Sequence, residues 1–228
     1  MYSIAKLCAH HLRTISSNHG VKLKSGHAHE LVASIFGYKS KAAMLADTLS
    51  PIDNIIQAQF LVLAPLLFIE QRRKCLEDLP SDLPDTSKLG EEMFTCLISE
   101  GYFSGRPFGA WKHLVDVLTT EYLLKHGDSV LSINFGPNEI ARTTFNKPVY
   151  EFIPKLETTG NGVKLVVTKM RYASSDINFQ SIDISATIKL QRIAGHVGYA
   201  KPEITVTDVS YNDVDAKLDD SVLPKSIS

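Results

Sequence analysis

Apolar residues in the first fifty positions recur at helical spacing. Ile4, Leu7, Cys8, His11, Leu12 and Ile15 follow the i, i+3, i+4, i+7 pattern of one helix face, with Lys6, His10 and Arg13 on the others. Asn18-His19-Gly20 ends this helix. Ser25 is placed to cap a second, whose inner face is Ala28, Leu31, Val32, Ile35 and Phe36, and Gly37 supplies the left-handed residue that terminates it. Ser40 caps a short third helix ending near Ala46. Ser50-Pro51-Ile52-Asp53 is a further helix start, with Pro at the first helical position. Residues 59–63 fit either the end of that helix or a short buried strand, because periodicity does not discriminate over so few positions. Further helices are expected over 66–79, 88–100 and 110–125, the last closed by His126-Gly127. The turn-rich LPSDLPDTS separates the first two, and the aromatic loop GYFSGRPFGAW the second and third.

From about Asp128 the period changes to two. Ile182, Ile184, Ala186, Ile188 and Leu190 face one way, and Asp183, Ser185, Thr187 and Lys189 the other. Tyr150, Phe152 and Leu156 alternate likewise, as do Val163, Leu165 and Val167, and then Ile204 and Val206. Gly160-Asn161-Gly162 is a hairpin turn. No helix-length segment separates these strands, so the sheet should be antiparallel with one polar face. The pattern predicts an α+β fold: a basic three-helix module over 1–49, a helical region over 50–127, an antiparallel sheet over 128–212 and an acidic, flexible tail over 213–228. Ile184 and Ile188 should be core. Lys164, Lys169 and Arg171 read as protection of a sheet edge. The segment 204–209 has only Asp208 to guard it, so Ile204 and Val206 are candidates for self-association or partner binding by strand addition.

Composition bounds these expectations. A chain of 228 residues with 44% hydrophobic and 21% charged content can bury a core in one or two globular domains. The net charge of −1 argues against wholesale polyanion binding, yet 1–49 hold six cations against Glu30 and Asp47, whereas 207–228 hold five aspartates against Lys217 and Lys225. Cys8, Cys75 and Cys96 are far apart and each falls in a helical apolar pattern, which fits buried, reduced thiols. The start lacks the pattern of a secretory signal, and the longest apolar run, 60–69, is about half a membrane span. A cytoplasmic protein with no membrane partner is expected.

Candidate chemistry is sparse. Five of the eight histidines lie in the first thirty residues, but His27 and His29 are two apart and His10 and His11 adjacent, so neither pair shares a helix face; no metal and no cofactor are expected. No nucleophile elbow, phosphate loop or dinucleotide fingerprint occurs. Gly195-His196-Val197-Gly198 joins two strands, and His196 is a general base only if carboxylates such as Glu151, Asp183 and Glu203 converge on it in the fold. The turn between the second and third helices, with Lys22, Lys24, Lys39 and Lys41 nearby, gives the outline of a helix-turn-helix with phosphate contacts; a solvated basic surface is the alternative. Tyr102, Arg106 and Trp111, with Phe103 and Phe108, form either a recognition surface or a core-anchored connection.

The stretch SGHAHELVASIFGYKSKAAMLAD, with Ala28, Glu30, Leu31, Val32, Ala33, Gly37, Tyr38 and Leu45 at the matching positions, resembles a short helical module. That module recurs in uncharacterised proteobacterial proteins, many plasmid-borne, and in a family labelled glyoxalase superfamily protein. The resemblance covers about residues 4–48 and extends weakly to 80. It implies a mobile-element or accessory-gene setting and supplies no activity, since the glyoxalase label requires βαβββ repeats and a spaced His/Glu metal set that this chain lacks. The function expected is that of a non-enzymatic accessory or interaction protein of a bacterial mobile element or defence locus, binding a partner protein or nucleic acid. The rival is a hydrolase or nuclease assembled from His196 and scattered carboxylates, and a purely structural subunit is a third reading. A cleft holding His196 with two or more carboxylates would favour the enzyme; a flat apolar patch would favour the binder.

Overall fold

The computed structural model describes residues 3–132, 143–148, 153–174 and 181–212. The fold is α+β, with helices concentrated in the N-terminal half and a mostly antiparallel sheet built largely from the C-terminal half. Two compact units are present. One comprises Met1–Val115, Leu156–Leu165 and Ile188–Glu203, the other Asp116–Lys155, Val166–Thr187 and Ile204–Ser228. The expected tail over 213–228, and Tyr150, Glu151 and Phe152, lie outside the described residues.

The first unit opens with α1 (Ile4–Asn18), α2 (Ser25–Ile35) and α3 (Lys41–Ala46). Cys8 and Leu12 of α1 and Ala28, Leu31, Val32 and Ile35 of α2 are buried, as their spacing predicts. Ser25 does not cap α2. The extended residue is Lys24, whose carbonyl already accepts the Ala28 N–H at 3.0 Å, so Ser25 is the first helical residue. Ser40 does cap α3, accepting from the Ala43 N–H at 3.1 Å. Gly37, at φ 83°, ends α2: the Tyr38 N–H donates to the Ala33 carbonyl at 2.8 Å and the Gly37 N–H to Ser34 at 2.9 Å. Glu30 ties these helices onward, accepting from the Lys41 N–H at 3.1 Å and from Arg72 Nη2 at 2.7 Å.

Beyond α3, Pro51 stands at the N-cap of a 3-10 helix, Ile52–Gln57, rather than inside an α-helix, and Asp53 accepts the Ile4 N–H at 3.0 Å. The ambiguous run resolves as a strand, β1 (Phe60–Val62). Next come α4 (Leu66–Lys74), which stops short of the expected limit at 79, and α5 (Thr86–Ser99), capped by Asp85 through the Lys88 N–H at 2.8 Å. Cys75 falls at the C-cap of α4 and is exposed, contrary to expectation, because the apolar face ends with the helix; Cys8 and Cys96 are buried. The aromatic loop contains a strand, β2 (Arg106–Phe108). Then α6 (Trp111–Ser132) runs straight through His126-Gly127. Gly ends a helix only by taking positive φ, which Gly127 does not, so it costs α6 some stability without stopping it.

The remaining strands are β3 (Thr143–Pro148), β4 (Lys155–Thr159), β5 (Gly162–Ser174), β6 (Ser181–Ala194), β7 (Gly198–Tyr199) and β8 (Glu203–Asn212). In the first unit the order β2-β1-β7-β6 brings Phe60 opposite both Arg106 and Tyr199, and Ala194 opposite Gly198. The sheet is not purely antiparallel: β1 and β2 are parallel, because α4 and α5 between them supply the long crossover a parallel pair needs. One buried cluster joins the three N-terminal helices to Ile52, Ile55, Leu61, Leu89, Ala194 and Val197, so 1–49 share their core with later segments.

Strand β5 is not an edge: it pairs with β6, with β4 in the first unit and with β3 in the second. Arg171 reaches across to Asp183 in a two-pronged ion pair, 2.6 and 2.8 Å, which explains why Asp183 is buried on the nominally polar face. Lys164, in the first unit, meets Glu157 at 3.3 Å across the β4–β5 hairpin. Ile182, Ile184, Ala186, Ile188 and Leu190 are all buried, as alternation requires.

Gly37 combines positive φ with a tight neighbour: a Cβ there would stand 2.6 Å from the Cβ of His196. Gly37→Ala should therefore lower unfolding free energy by about 1–3 kcal/mol, read as a drop in the urea midpoint at unchanged slope; an unchanged midpoint would contradict this packing.

Candidate functional site

A cleft of about 310 Å³ opens in the first unit. Gly37 contributes from the turn after α2, Leu63 to Pro65 and Phe68 from the junction of β1 with α4, and Trp111 from the start of α6. The β4–β5 hairpin adds Leu156, Thr158, Thr159, Gly162 and Val163, and the β6–β7 hairpin adds Arg192, His196 and Tyr199. The lining is mainly apolar, and Arg192 is its one formally charged residue at neutral pH. In size and character this is the ordinary setting for a small molecule.

Backbone contacts lock the β6–β7 turn in place. Gly195 has φ 55°, its N–H donates to the Ser50 carbonyl at 2.7 Å, and the His196 N–H donates to the Phe36 carbonyl at 3.0 Å. The Tyr199 hydroxyl donates to the His196 carbonyl at 2.7 Å, and its ring meets Trp111 edge-on, centroids 5.2 Å apart. Burial holds the Tyr199 phenol above its usual range, with Arg192 opposing. The imidazole of His196 stands edge-on to Tyr38 at 4.8 Å.

Behind the turn lies Asp47. It accepts the Tyr38 hydroxyl at 2.6 Å and the N–H groups of Leu49 and Ser50 at 3.0 Å each. Burial pushes its carboxyl up, but those hydrogen bonds and the Arg192 charge outweigh burial and hold it below the usual carboxylate range. Burial, the hydrogen bond and the charge of Asp47 keep the Tyr38 phenol well above its ordinary value. Arg192 places Nε 3.2 Å from Ser50 Oγ, Nη1 3.0 and 3.3 Å from the two ring nitrogens of His196, and Nη2 3.9 Å from Asp47. Burial first, and then the Arg192 cation, depress the His196 pKa, with Asp47 opposing. The imidazole is thus neutral at physiological pH.

The residues singled out by sequence disperse. Lys22 and Lys24 precede α2, Lys39 and Lys41 follow it, and eleven residues at 1.5 Å each set the two pairs about 16 Å apart. Lys24 pairs with Asp78 at 3.2 Å on the surface. The six-residue α3 buries only Met44. Tyr102 is half-buried against the core, Arg106 lies over the rings of Phe60 and Phe108 at 5.2 and 5.9 Å, and Trp111 lines the cleft. Ile204 and Val206 are half-buried on β8 of the second unit and line a hollow there with Tyr122 and Val130. Among the described residues no three His, Cys, Asp or Glu side chains are grouped to hold a metal. His196 does line a cleft, but its neighbour is Arg192, four residues before it, and the cleft lining contains no carboxylate among the described residues. Asp183 is engaged with Arg171. Arg192, Tyr199, Asp47 and Tyr38 were absent from the sequence-level candidates; the Arg-x-x-x-His spacing around a glycine turn was the one signal available.

No family model, no curated protein and no solved structure matches this chain.

The depressed His196 imidazole makes stability pH-dependent. Unfolded, His196 takes up a proton near its ordinary 6.5; folded, it resists to lower pH. The unfolded state therefore binds more protons below that point, and stability is full above about pH 6.5 and falls on acidification. Asp47, held below its ordinary 3.8, adds a second loss at lower pH. His29 is also depressed, by burial and by Lys41 and Lys6. His196→Gln should accordingly flatten, without abolishing, the fall in urea midpoint between about pH 6.5 and 5; an identical slope in the variant would mean that the imidazole titrates freely.

Proposed function

We propose that this chain acts by binding, holding a small and largely apolar molecule in the cleft of its first unit. The observation that carries the reading is the lining: Leu63, Ala64, Pro65, Phe68, Trp111 and Val163 supply apolar walls, and the one charged group, Arg192, stands beside His196. Few convergent polar groups in an apolar cleft suit recognition and orientation of a ligand. His196 fits a positioning role better than that of a general base. It is neutral, it faces a guanidinium, and no carboxylate beside it in the lining would steady an imidazolium. An accessory role in a mobile-element or defence locus is part of the proposal and rests on the resemblance over about residues 4–48, weakly to 80, alone.

Trp111 is the only tryptophan in the chain, so its fluorescence reports on the cleft directly. At roughly 30 Å³ per water in the liquid, the volume admits about ten non-hydrogen atoms. 1-Octanol is a probe of about that size. Its titration should produce a saturable change in Trp111 emission, matched by calorimetry; a linear, non-saturating response would sink the proposal.

A further inference from the structure

An apolar cleft has no need of a guanidinium, and placing one there costs desolvation unless something repays it. Asp47 repays it in part, through charge. It does so from 3.9 Å, beyond hydrogen-bond reach, while its two oxygens accept from the Tyr38 hydroxyl and the N–H groups of Leu49 and Ser50. Nε is directed to Ser50 Oγ and Nη1 to the His196 ring. Nη2 has no hydrogen-bond acceptor among the described residues. Arg192 is part of the cleft lining, and Asp47 is not.

Resting on the binding reading above, we propose that the ligand carries a single carboxylate on a medium-length apolar body, and that the Arg192 guanidinium, part of the cleft lining, receives that carboxylate. A carboxylate accepts charge-assisted hydrogen bonds from a guanidinium in the geometry its planar donors favour. The neutral His196 leaves one positive charge in the cleft lining. One charge matches a carboxylate, whereas a phosphate monoester brings about −1.5 to −2 and would leave part of it uncompensated among apolar walls. His196 is a positioning residue here: in contact with both the Tyr38 ring and Nη1, it fixes where the guanidinium can stand.

The test uses the whole wild-type chain and three eight-carbon probes, octanoate, 1-octanol and octylamine, at pH 7.5, followed by Trp111 emission and calorimetry. Octanoate should bind at least about tenfold more tightly than octanol, with octylamine weakest, and the advantage should shrink in high salt. Arg192→Met should erase the preference and keep octanol binding. Arg192 also supports the fold, so the wild-type comparison carries the test if that variant fails to fold. Octanol binding as tightly as octanoate would overturn the inference and leave the cleft reading standing; no saturable binding by any probe would overturn both. Octyl phosphate binding as tightly as octanoate would overturn the single-charge argument.

Discussion

The carboxylate of Asp47 is the point on which the first unit's architecture turns. Three segments distant in sequence meet around it: the turn at Gly37 and Tyr38, the stretch Asp47 to Ser50, and the β6–β7 hairpin with Arg192 and His196. Each hydrogen bond to it is charge-assisted, and such bonds are stronger than neutral ones when partly shielded from water. Removing the carboxylate would do more than delete one contact. It would leave the Tyr38 hydroxyl with only the Ser50 carbonyl at 3.3 Å, two N–H groups without their acceptor, and a guanidinium without its counter-charge. The cleft wall inherits its rigidity from this arrangement, since Gly37, Arg192 and His196 all line it.

Electrostatics and apolar packing divide the labour in this cleft. Apolar walls from the β1–α4 junction and the β4–β5 hairpin supply contact without direction. Direction comes from one corner, where a cation is held by a hydroxyl, an imidazole and a set-back carboxylate. Burial raises the Tyr199 phenol, and desolvation with the Arg192 cation lowers the His196 imidazole, so both shifts favour the neutral forms beside that cation.

Local signals in the sequence foretold the elements they act on. The helical periodicity of 4–35, the Gly37 stop, the Ser40 cap and the alternation of 182–190 all appear as read, because each depends on neighbours within one or two turns or on one buried face. Features decided by tertiary partners were not legible. The three residues of β1 are too few to show a period, and β2 hides in an aromatic loop because pairing with β1, not propensity, makes it a strand. The edge reading of Lys164, Lys169 and Arg171 failed because β5 is paired with β6 and with β3 and β4; the charges of Lys164 and Arg171 answer to Glu157 and Asp183. The cleft was invisible for a similar reason. Its corner joins residues 38, 47, 192 and 196, and only the four-residue step from Arg192 to His196 is a local pattern.

The first unit is assembled from three separate stretches of chain. Its N-terminal helices have what they need in local contacts, but the buried cluster that holds them also requires Ala194 and Val197. On the ribosome, then, the opening helices emerge long before the strand that completes them. Until β6 and β7 arrive, β1 has β2 on one side and no partner on the other, and the apolar surface of α2 and α4 lacks part of its cover. Contacts so distant in sequence slow folding and prolong exposure of sticky intermediates. A discontinuous unit of this kind cannot close on its N-terminal stretch alone, and the corner built around Asp47 must wait for Arg192 and His196.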